Sequence, residues 1–182
     1  MKRLIVVAGL LPGLSAPAFA QEPGAAPVPA AVRALAGCWE GSGEVMGKPV
    51  TIRLEGGLVA ENALFVLDAR SLAVADPADR YAAHLVFGGR TRPAKPGDAP
   101  AIMGFWADSF GGDYTATGIG AARKNDFAIV YDYPDQKFIN HWALEDGKLT
   151  WTITAEDASL KEQKFAAYAL TRAECSAKPT PP

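Results

Sequence analysis

The chain has 182 residues, 49% apolar, 21% charged and 9% aromatic, the balance of one or at most two globular domains and not of a disordered chain. With 18 basic against 20 acidic residues the formal charge is -2, which excludes the basic footprint of a nucleic-acid binder and leaves no acidic tail. Two cysteines and two histidines are too few for a multi-cysteine zinc framework or a three-histidine catalytic centre, so no metal site is expected.

Residues 1–20 read as an address. Lys2 and Arg3 precede an apolar stretch from Leu4 to Leu14 that is shorter than the roughly 20 residues needed to cross a bilayer. Ala18-Phe19-Ala20 then places small residues at both cleavage-reading positions, the pattern of a secretory signal peptide cut near Ala20. No cysteine follows the cut, so a lipid anchor is not indicated, and no later segment is apolar for long enough to span a membrane. The expected location is the periplasm or the medium.

Residues 21–31 are rich in proline, glycine and alanine and read as a flexible linker. A short helical turn is expected over 32–36, ended by Gly37. From there the dominant period is two, which marks strands with one buried face. Val50, Ile52 and Leu54 alternate with Thr51, Arg53 and Glu55, and Leu149, Trp151 and Ile153 alternate with threonines. Further strands are predicted over 39–45, 64–70, 81–87, 101–107, 113–119, 127–132, 137–144 and 165–171, so that about ten short strands follow one another at nearly even spacing.

The separators are turn-formers: Met46-Gly47-Lys48, Glu55-Gly56-Gly57, Gly111-Gly112, Tyr133-Pro134-Asp135 and Glu145-Asp146-Gly147. Residues 88–100, without periodicity and basic through Arg90, Arg92 and Lys95, read as a long exposed loop. No helix-length apolar pattern interrupts the hairpins, so the domain over 32–175 is expected to be an all-β antiparallel barrel or a sandwich, with a disordered tail over 176–182.

Export bears on the cysteines. Cys38 and Cys175 form the only pair, and in an oxidising compartment two such thiols near opposite ends of a domain are expected to form a disulfide worth up to roughly 5 kcal/mol in the chain-entropy account. The bridge would tie the first strand to the last, which are neighbours in a closed up-and-down barrel.

The stretch Leu35-Ala36-Gly37-Cys38-Trp39-Glu40-Gly41-Ser42-Gly43-Glu44 resembles the opening of the calycin superfamily, where a helical turn leads into G-x-W at the barrel floor. Its extended form G-x-W-x-G-x-G is similar to the nitrobindin-like branch. Trp106-Ala107-Asp108-Ser109 followed by Gly118 resembles the W-x-D-S and later glycine of a family of secreted bacterial proteins of unknown function. These resemblances, of lipocalin and nitrobindin type, imply an antiparallel up-and-down β-barrel of about 8 to 10 strands. Nitrobindin-like proteins hold haem through a histidine in the closing strands. No histidine follows His141 here, so haem would require a different strand to present that residue. No cofactor is assigned.

The ligand-binding candidates are Trp39, Arg53, His84, Trp106, His141 and Trp151. Both histidines stand opposite in parity to the apolar set of their strands, which places them either in solvent or on a polar lumen. The tryptophans, with Tyr131, Phe138 and Phe165, can line an apolar pocket or fill a core. Asp108-Ser109 suits polar contacts at a barrel mouth and turn chemistry equally well. No nucleophile elbow, phosphate loop or zinc motif occurs, so no catalytic residue is named. The expected function is binding of a small apolar or amphipathic ligand, with no nucleic-acid partner. The alternative is a structural or interaction module of the cell envelope with a filled barrel and working loops, and an enzyme ranks last. Oligomeric state is not readable from the sequence.

Overall fold

A computed structural model describes residues 26–90, 99, 101–159 and 161–175. A single helical turn, α1 (Ala30–Arg33), leads into ten strands: β1 (Gly37–Val45), β2 (Lys48–Val59), β3 (Leu64–Ala73), β4 (Arg80–Gly89), β5 (Ala101–Asp108), β6 (Ala116–Ala122), β7 (Asp126–Asp132), β8 (Gln136–Glu145), β9 (Lys148–Asp157) and β10 (Glu162–Ala173). Each pairs antiparallel with its neighbour in sequence, and β1 pairs with β10, so the sheet closes on itself. The all-β, up-and-down barrel is therefore the fold, with no free edge along the circuit.

Alternation carries the architecture. In β3 the inward set is Phe65, Leu67, Ala69 and Ser71, all buried, while Arg70 and Leu72 between and beyond them face out. Two-residue turns at Met46-Gly47 and Asp146-Gly147, each with positive φ at both residues, match the twist of the strands that they join.

Glu55-Gly56-Gly57 is not a turn. It lies inside β2, which runs on to Val59, and the reversal falls at Ala60-Glu61-Asn62, all at positive φ. Gly56 is there for packing: a Cβ on it would come within 2.7 Å of the Phe65 ring across the β2–β3 pair. The sixth strand also begins later than 113, because Gly112–Tyr114 form one turn of 3-10 helix first.

The linker reading of 21–31 holds less of the chain than expected, since Val28 and Ala31 are buried among core side chains. Apolar side chains set just before a capping turn have a core to enter, and composition alone does not show this. The signal segment 1–20, most of the loop 88–100 and the tail 176–182 lie outside the described residues.

One end of the barrel is stopped. Val28, Val32, Leu35 and Trp39 pack there with Phe87, Phe127 and Trp142 in one core. The Trp142 ring stacks on Phe127 at 4.6 Å between centroids and on Trp151 at 5.5 Å. Each such fully buried ring contributes roughly 2–3 kcal/mol of transfer free energy.

Candidate functional site

Toward the other end the inward side chains shrink. Along β1 they pass from Trp39 to Gly41 and Gly43, along β2 from Leu54 to Ile52 and Val50, and along β3 from Phe65 and Leu67 to Ser71 and Ala73. These residues cannot meet across the barrel, and a cavity of about 790 Å³ remains, open at the β1–β2, β3–β4, β5–β6 and β7–β8 turns. Its size lies within the range of small-molecule sites. Its far wall is aromatic, formed by Trp106, Tyr131, Phe138, Trp151 and Tyr168.

Two of the polar groups that line the cavity, Asp108 and Asn140, are held by hydrogen bonds. Asp108, at the end of β5, faces the mouth; its Oδ2 accepts from the Tyr81 hydroxyl at 3.0 Å and from Trp106 Nε1 at 3.0 Å, while its Oδ1 accepts from the Phe110 backbone N–H at 2.9 Å. The carboxylate thus ends a turn and organises the mouth with the same two oxygens. Deeper in, Asn140 is 1% exposed, and its Oδ1 accepts from Trp151 Nε1 at 2.9 Å. The Asn140 amide nitrogen has only a 3.5 Å approach to the Phe138 carbonyl, at the limit of a hydrogen bond.

The tyrosines share one perturbation. Burial pushes Tyr168 up to about 12. Burial also raises Tyr131, whose hydroxyl is buried without a hydrogen-bond partner and lies over Gly104, where a Cβ would come within 2.5 Å of it. Tyr81 and Tyr133 are raised first by burial and then by the Asp108 charge.

Of the sequence candidates, Trp106 and Trp151 line the cavity with ring centroids 6.0 Å apart. Trp39 sits at the stopped end and donates through Nε1 to the Leu35 carbonyl at 2.9 Å. Arg53, His84 and His141 stand on the outer wall. Arg53 pairs with Glu40, His84 Nδ1 lies 2.5 Å from Asp68, and His141 Nε2 lies 3.5 Å from Asp126. The cavity wall therefore contains no histidine, and a histidine-held haem does not fit it. Cys38 and Cys175 form a disulfide with their Cα atoms 5.2 Å apart.

Sequence reasoning left Tyr81, Asn140 and Tyr168 unnamed. Parity could have found all three, since Tyr81 precedes the inward Ala83 by two, Asn140 the inward Trp142 and Tyr168 the inward Leu170.

No protein-family model matches the chain, and no curated protein matches it. Among solved structures it is similar to the crystal structure of Rv2717c from M. tuberculosis, at 15% identity and a TM-score of 0.55, covering 81% of this chain and 99% of that one. At that identity the likeness establishes a shared fold.

Proposed function

We propose that the chain is an exported barrel that binds a small apolar or amphipathic ligand in its open cavity without transforming it. The observation that carries this reading is the hollow half of the barrel. Side chains of full core size stop one end, while small inward residues leave about 790 Å³ against an aromatic wall at the other. A barrel packed along its whole length would have favoured the interaction-module reading instead. Export is supported by the segment 1–20 and by the Cys38–Cys175 bridge.

Native mass spectrometry and tryptophan fluorescence test the reading with a panel of fatty alcohols, fatty acids and tetrapyrroles. A one-to-one complex that perturbs the emission of Trp106 and Trp151 is expected. It should be lost in Ser71→Trp, which fills the cavity from a buried wall position. Failure of every class to bind, with the protein folded, overturns the reading.

A further inference from the structure

The charges at the mouth are one-sided. Five ionisable acid or base side chains besides the tyrosines border the cavity: Lys48, Asp79, Asp108, Asp113 and Asp135. Lys48 lies 3.6 Å from Asp79, so these two offset each other. Asp108, Asp113 and Asp135 remain, and no lysine or arginine among the described residues forms an ion pair with any of them.

Asp108 stands within an aromatic frame. Tyr81 and Trp106 hold its Oδ2. Phe110 lies 5.7 Å from the Tyr81 ring and 5.8 Å from the Tyr114 ring, centroid to centroid. The Tyr133 hydroxyl donates to the Tyr114 carbonyl at 2.9 Å, fixing a further ring beside them. A carboxylate without a cationic partner, held by the Tyr81 and Trp106 donors in a mouth that also carries the rings of Phe110, Tyr114 and Tyr133, is an arrangement suited to an organic cation. Coulomb attraction supplies one part and the ring quadrupoles the other. The same charges repel a carboxylate or phosphate head, while the apolar wall beyond them suits an alkyl body.

We propose that the ligand is a cationic amphiphile, an organic ammonium on an apolar tail, with its head at Asp108 in the aromatic mouth and its tail along Trp106 and Trp151. This proposal rests on the ligand-binding reading above and specifies the chemical class that the cavity selects.

Three probes of equal chain length and different head charge test it by calorimetry on the purified, oxidised protein: octyltrimethylammonium, 1-octanol and octanoate. The expected order is cation, then alcohol, then carboxylate, with the cation tighter than octanoate by about tenfold or more. Asp108→Asn, which removes the charge and keeps one of the two acceptor oxygens, should cost the cation more affinity than the alcohol and bring the two together. Asp113→Asn, on the exposed rim and away from the core, should shift the preference in the same direction by less. Octanoate binding as tightly as the cation, or a folded Asp108→Asn protein that keeps the full cation preference, overturns the proposal and leaves the cavity reading standing. Failure of all three probes to bind removes both.

Discussion

The Arg172 guanidinium lies over the Trp39 ring, 3.9 Å from its centroid, and joins the last strand to the first at the stopped end of the barrel. The same group donates to the carbonyls of Ala36 and Ala34, the second at 2.8 Å, so it also satisfies acceptors left over by the helical turn. Arg172→Ala should therefore cost about 2 kcal/mol, the sum of a cation–π contact and hydrogen bonds from a charged donor. Arg172→Lys should recover only part of it, since an ammonium lacks the planar fork. Urea midpoints at an unchanged slope are the measurement.

The disulfide spans 137 residues. Reduction, or Cys175→Ser, should lower stability by several kcal/mol, with about 5 kcal/mol as the ceiling for so long a loop. The oxidised protein should show no thiol by titration under denaturing conditions, and its denaturation midpoint should fall when reductant is added.

Two stacked tryptophans should respond differently to the same change. Trp142 Nε1 is buried without a partner, whereas Trp151 Nε1 donates to Asn140. Trp142→Phe removes an unsatisfied donor, which offsets part of the cost of the void that it leaves. Trp151→Phe leaves the buried Asn140 oxygen without its donor and should cost roughly 1–3 kcal/mol more. Parallel chemical denaturation of the two variants decides the order.

Alkaline pH should weaken the fold. Folded Tyr168 titrates at about 12 and Tyr81 and Tyr131 are also raised, while an unfolded tyrosine titrates near 10. Between those values the unfolded chain releases protons that the native barrel keeps. The contribution is therefore complete below about pH 10 and is lost as pH climbs through the folded values, at up to about 1.4 kcal/mol per pH unit for each such tyrosine. Denaturation midpoints should hold up to about pH 10 and fall from there toward about pH 12. Absorbance at the phenolate band should show a late group of tyrosines.

The strands were legible because alternation is a local signal: Val50, Ile52 and Leu54 all point inward, as their period requires. Parity also set His84 and His141 apart from the apolar face, and both are on the outer wall. Gly56 was misread because a glycine in a turn and a glycine under a phenyl ring look alike until the partner strand is known. The cavity was not legible for a related reason. Whether Gly43, Val50 and Ser71 leave a void depends on which residues face them across the barrel, and strand number and stagger decide that. Asp108 shows the turn chemistry offered for it, since one oxygen closes the turn, and it stands at the mouth, where the other oxygen holds Tyr81 and Trp106.

Closure of the sheet through β1 and β10 has a kinetic side. Cys38 stands opposite Ala173, so the pairing that completes the circuit joins residues from the two ends of the domain. Until β10 arrives, β1 and β9 each present an unpaired edge, and the emerging chain holds two sites for pairing with another molecule. Contacts of such long sequence separation make folding slow, because the entropy of closing the loop is spent before the ladder rewards it. Truncation anywhere within Glu162–Ala173 should therefore yield aggregates in place of a smaller barrel.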